Sequence, residues 1–123
     1  MAQISPPIKN AITQFLNKII EENIEIKEAF LFGSYANHTE NKWSDIDVAI
    51  ISPAFSENRF EERIRLMKIS SRVDSRIEPV PFSPEDFTDE DPLACEIKRN
   101  GIPLPLESIS GASLNAPDNT TSQ

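Results

Sequence analysis

Little in this chain invites covalent or membrane structure. It has 123 residues and one cysteine, Cys95, so no disulfide can form within it. A reducing, cytoplasmic home is the default expectation for such a chain. No apolar run approaches the roughly 20 residues of a membrane span. The start, Met1 to Thr13, lacks a basic end followed by an apolar stretch, so no signal peptide is expected. Basic residues are scarce: 12 Lys and Arg stand against 20 Asp and Glu, a formal charge of −8. That field repels phosphate backbones and anionic membranes, which excludes standing nucleic-acid or membrane binding. Only three glycines occur. Each one that interrupts an ordered-looking segment therefore needs a reason.

What is present suits one small domain. Ser5-Pro6-Pro7 reads as a helix start with Ser5 as cap. Ile8, Ile12, Phe15 or Leu16, and Ile19 follow at helical spacing, fading near Asn23. Ile26 to Phe32 ends in four apolar residues, as a buried strand does, and Gly33-Ser34 stops it. Ser44 to Ile51 reads as a second, central strand because Val48 to Ile51 are apolar on both faces. Glu57 to Ser71 is expected to be a charged helix with Phe60, Ile64 and Met67 on one side and a supporting Glu61–Arg65 pair. Arg76 to Phe82 reads as an edge strand, since Pro79 and Pro81 cannot donate to a ladder. Asp91-Pro92 opens a last helix with Leu93, Ala94 and Ile97 as its apolar face, and Asn100-Gly101 stops it. Ile102 to Leu104 adds a short extended piece. The order describes a small α/β (α+β) domain over residues 1–105. Residues 106–123, rich in Ser, Asn, Thr and Asp, are expected to be a disordered tail.

Two features carry chemistry. Gly33 directly after a buried strand removes a Cβ that would hold a ligand off the backbone. Ser34 can cap a short helix over Tyr35 to His38, whose first amides favour an anion. Asp45 and Asp47 lie two apart, so a strand aims both carboxylates at one face and Ile46, Val48 and Ile50 at the other. Like charges so placed repel each other. A divalent cation reverses that argument, since paired carboxylates hold Mg²⁺ together with substrate phosphates.

The combined pattern is Gly33-Ser34, ten residues, then Asp45-x-Asp47. With its flanking words FGSYA and WSDIDVAI, it resembles the polymerase-beta-like nucleotidyltransferases. It is most similar to the minimal, single-domain members, over about residues 8–104. That resemblance implies a mixed central sheet of about three to four strands flanked by helices. It implies two Mg²⁺ ions held by Asp45, Asp47 and a third carboxylate from a later strand. Glu78 is preferred over Asp74, which lies where the helix ends and can serve as a cap. The plainer role for Glu78 is a surface partner of Arg76. ATP would bind with its triphosphate at Gly33 and Ser34, and an AMP group would pass to a hydroxyl with release of pyrophosphate.

This chain departs from the family where many relatives carry a basic residue and a glycine after the Gly-Ser pair; Tyr35 and Asn37-His38 stand there. A left-handed Asn37 would preserve the turn. Lys42, Arg72 and Arg76 are the nearby cations. His38 reads as exposed, Trp43 as core cover, Tyr35 as a base platform or a shield for the turn, and Cys95 as a small core residue. The acids from Glu85 to Asp91 read as a solvated connection. Relatives that bind their own acceptors use extra domains. A lone catalytic lobe borrows its acceptor from a partner or from its own oligomer. The resemblance points to a small helical HEPN-type toxin partner, modified on a tyrosine by this chain as antitoxin. The alternatives are an antitoxin that acts by binding alone, and a dimeric small-molecule nucleotidyltransferase.

Overall fold

The computed structural model of the chain describes residues 4–37 and 44–106. Its elements run α1 (Pro6–Glu21), β1 (Glu28–Phe32), α2 (Ser34–Asn37), β2 (Ile46–Ile51), α3 (Arg59–Ser70), β3 (Ile77–Phe82), α4 (Pro92–Asn100) and β4 (Ile102–Pro103). The expected α/β architecture with a mixed sheet is what forms. The strand order is β3-β2-β1-β4. β1 is antiparallel to β2 and to β4, while β2 and β3 are parallel. β2 is therefore central and the proline-bearing β3 is an edge. None of the described helices is long and apolar enough to cross a membrane.

Alternation along the strands sorts the core into two layers. Ala29, Leu31, Ile46, Val48, Ile50 and Ile77 point to one face, where α1 and α3 cover them with Phe15, Leu16, Ile19, Leu66 and Ile69. Ala49, Ile51 and Phe82 point to the other, against Phe87 and the Ala94 and Ile97 side of α4. Phe87 lies edge-on to Phe82 at 5.2 Å between ring centres. Leu106 still packs on the larger layer. The presumed tail beyond it lies outside the described residues, as do His38, Lys42 and Trp43.

Several local expectations need correction. Ser5 occupies the N-cap of α1 but its side chain makes no capping bond. α3 is capped by Asn58, whose side-chain oxygen accepts from the Glu61 amide at 3.1 Å. Its buried side is Glu62, Leu66, Ile69 and Ser70, so Phe60, Ile64 and Met67 face solvent. Two apolar sets compete on this helix. The winning set continues through Val73 into the core and lets the Glu62 carboxylate accept from the Ser56 amide at 2.8 Å. Arg65 pairs with Glu62 rather than Glu61. On α4, Asp91 caps the amides of Leu93 and Ala94 as its position predicts. Leu93 itself is exposed, and Cys95 is half-buried rather than core. Gly101 ends α4 in extended backbone, φ −71°, not the left-handed form expected of a helix stop.

Candidate active site

β1 delivers Phe32 opposite Asp47, and the chain turns away at Gly33. Gly33 has φ +73°, a region that favours glycine. A second constraint comes from across the sheet. A Cβ on Gly33 would strike the Asp47 carboxylate. The sequence argument reserved that missing Cβ for a ligand; the structure gives the space to an acid. Asn37 is helical, so the left-handed residue of this turn is Gly33 itself. The Gly33 carbonyl accepts from the Asn37 amide at 3.0 Å, closing the single turn of α2. Ser34 is thus the first helical residue, not the cap, and no hydrogen bond within the described residues engages its hydroxyl. Tyr35 packs on the larger core layer and shields the turn.

Asp47 lies on β2, with Glu78 directly opposite it in the parallel ladder. Asp45 precedes the strand and is exposed. The Asp47 carboxyl is pushed up from 3.8 to about 6, chiefly by burial, then by the charges of Asp45 and Glu78. Asp47 therefore feels both neighbouring acids at one end of the sheet. A fold gains no stability from such a grouping. Glu78 does not pair with Arg76 as the plainer reading expected. It accepts from Arg63 of α3 at 3.3 Å. Arg76 is taken by Asp74 instead, through two side-chain bonds of 3.1 and 2.8 Å and a backbone bond of 2.9 Å. Those hydrogen bonds hold the Asp74 carboxyl below its ordinary value. Asp74 is thereby spent on its own turn, and Arg76 is no free phosphate ligand. Arg72 is exposed and enters no ion pair among the described residues.

The donor set suits a hard divalent cation: oxygen ligands only, mutually repelling, at the open end of a sheet. As they stand, no three His, Cys, Asp or Glu side chains among the described residues converge on one point. Glu78 is turned to Arg63, so it would have to exchange a guanidinium for a metal. Arg63 was the residue missed by sequence reasoning. Nothing local in the sequence ties position 63 to position 78.

The model of the nucleotidyltransferase domain family matches residues 12–102. The chain belongs to that family. Three solved structures of similar fold carry toxin–antitoxin names. A mutant MntA–HpeT complex is 24% identical, with 84% of this chain and 73% of that one covered and a TM-score of 0.56. A toxin–antitoxin with AMP-PNP is 23% identical, covering 77% and 70%, with a TM-score of 0.52. Another MntA–HpeT mutant is 22% identical over the same shares, with a TM-score of 0.51. No curated protein matches the sequence. The matched span includes Gly33, Ser34, Asp45, Asp47 and Glu78.

Proposed function

We propose that this nucleotidyltransferase domain transfers AMP from ATP to a hydroxyl of a partner protein, a tyrosine of a HEPN-type toxin, and acts as its antitoxin in the cytoplasm. One observation carries the reading. Asp47 stands between the Gly33 turn and Glu78, with Asp45 beside it, at the end of the sheet where β2 begins. Similar folds come from toxin–antitoxin complexes, one of them with AMP-PNP. They support a partner and a nucleotide for this chain.

In this reading Asp45, Asp47 and Glu78 would hold two Mg²⁺ ions, which would supply neutralisation of phosphate charge and a lowered pKa for the attacking hydroxyl. The Gly33 turn and the Ser34 hydroxyl would hold the triphosphate. The acceptor oxygen forms a bond to the α-phosphorus. The bond from that phosphorus to the bridging oxygen of the β-phosphate breaks, and pyrophosphate leaves. Glu78 takes the acceptor proton. The chain's own task is alignment and charge placement. Incubation with ATP, Mg²⁺ and the protein encoded beside it should raise the partner's intact mass by one adenylyl group. An unchanged mass, with the complex formed, sinks the transferase reading.

One observation favours a second reading, neutralisation by binding alone. Glu78 is engaged by Arg63 and the acids do not converge. An Asp45→Asn, Asp47→Asn double variant would then protect against the toxin as well as the wild type does. Loss of protection with the complex intact removes this reading.

A further inference from the structure

α3 exposes a stripe of large apolar side chains: Phe60 at 72%, Ile64 at 38% and Met67 at 42%. At about 100° per residue these three fall within about 60° of arc. Monomers rarely leave such a stripe on a regular helix without use. Three charges of α3 are engaged: Arg59 with Asp91, Arg63 with Glu78 and Arg65 with Glu62. Two along one edge of the stripe, Glu61 in the first turn and Lys68 in the last, enter no ion pair among the described residues.

That edge is complementary to itself, reversed. When two copies of a helix pair antiparallel about a twofold axis, the same edge of each meets and the ends exchange. Setting Ile64 against Ile64 brings Phe60 to Met67 of the other copy. The same register brings Glu61 to Lys68. One alignment satisfies the apolar stripe and both charges. Arg63 lies on the opposite flank, already held by Glu78.

We infer that the outer face of α3 is a homodimer seam on which a second copy of this chain docks antiparallel, centred on Ile64. A helix of 12 residues is about 18 Å long, so the seam is smaller than a standard stable interface and the dimer forms with concentration. It holds the two acid sites on the same side of the seam, since Arg63 marks the flank toward Glu78 in both copies. The inference is independent of the transfer reading: a catalytically dead chain would dimerise equally.

Sedimentation equilibrium on the full chain tests it, over about three decades of concentration up to about 1 mM. The wild-type mass should climb from 13.8 kDa toward twice that value. Ile64→Asp should stay monomeric, with an unchanged circular dichroism spectrum and melting curve, because the side chain is exposed. Glu61→Lys alone, or Lys68→Glu alone, should weaken the dimer by about tenfold, because the twofold axis doubles each new repulsion. The double reversal should recover the wild-type affinity. A wild type that stays monomeric overturns the inference. So does a double reversal no tighter than the singles, or an Ile64→Asp that still dimerises. If the wild type is monomeric alone and Ile64→Asp abolishes binding of the acceptor protein, the face belongs to that protein and self-docking is wrong.

Discussion

The two faces of the sheet are built from the same strands and serve opposite ends. One is sealed along its whole length by α1 and α3, with Phe15, Ile19, Leu31 and Leu66 wholly or almost wholly buried. The other is covered by α4 and Phe87 over Ala49, Ile51 and Phe82, and among the described residues is left partly open where Asp47 and Glu78 stand. β2 feeds both at alternate positions. Ile46, Val48 and Ile50 enter the sealed layer, while Asp47 leads Ala49 and Ile51 on the other. Stability is concentrated on the sealed face and tension on the open one. Substitutions in the sealed layer and at the acids should therefore move stability in opposite directions.

The sealed face gives the largest effect. Phe15→Ala removes a fully buried ring and should lower unfolding free energy by about 3–5 kcal/mol, read by urea denaturation. The acids at the open end should show no loss of that kind. Asp47→Asn is the opposing case. In the transfer reading it should reduce adenylylation by about a hundred- to a thousandfold, as loss of a charge-placing group does. Its stability effect should be positive at neutral pH. The folded-state pKa of Asp47, about 6, lies above the ordinary value of 3.8. Its ionised form is therefore disfavoured in the fold. That destabilisation is fully present above about pH 6 and gone below about pH 4. The melting temperature of Asp47→Asn should thus exceed that of the wild type at pH 7.5, and the gap should close as pH falls through that window. A gap that widens toward pH 4 would reverse the sign of the argument. Added Mg²⁺ should close the gap at pH 7.5 by stabilising the wild type alone.

How much of this was legible depended on how local the cause is. Strand alternation is a property of neighbouring residues, so the split of Asp45 and Asp47 from Ile46, Val48 and Ile50 could be read directly. Helix α3 could not. Its sequence holds two apolar stripes, Phe60-Ile64-Met67 and Leu66-Ile69-Val73. The choice between them rests on α1, on β3 and on the Glu62–Ser56 bond. Asp74 and Glu78 were separable only in part, because the deciding bonds run to Arg76 in one case and to a different helix in the other. The role of Gly33 was half legible: its position after the strand is sequence, whereas its close approach to Asp47 depends on the register that sets Phe32 beside that residue.

Gly33 joins the two ends of the comparison, and its substitution should be intermediate. Gly33→Ala places a Cβ into the Asp47 carboxylate at positive φ. A cost of about 1–3 kcal/mol in stability is expected from the backbone alone. Combining it with Asp47→Gly should recover part of the loss, since the colliding carboxylate is then absent. If the double variant is no more stable than the additive sum, the clash is not the cause.

The smallest effect should come from Arg63, the one strut between the helix over the sealed face and the acids of the open one. Arg63→Met keeps the aliphatic stem and removes the charge. Its ion pair with Glu78 is half exposed, with 49% and 33% of the two side chains accessible, so stability should change by less than about 1 kcal/mol. Function need not follow stability here. Freed of Arg63, Glu78 retains its place opposite Asp47 and faces its repulsion without a counter-charge. Two outcomes separate the possible roles of this arginine. If it competes with Mg²⁺ for Glu78, the variant should reach half-maximal thermal stabilisation at a several-fold lower Mg²⁺ concentration. If it instead orients Glu78 for the metal, that concentration should rise. The first is expected, because a guanidinium and a divalent cation cannot both occupy the same carboxylate oxygens at contact distance without mutual repulsion.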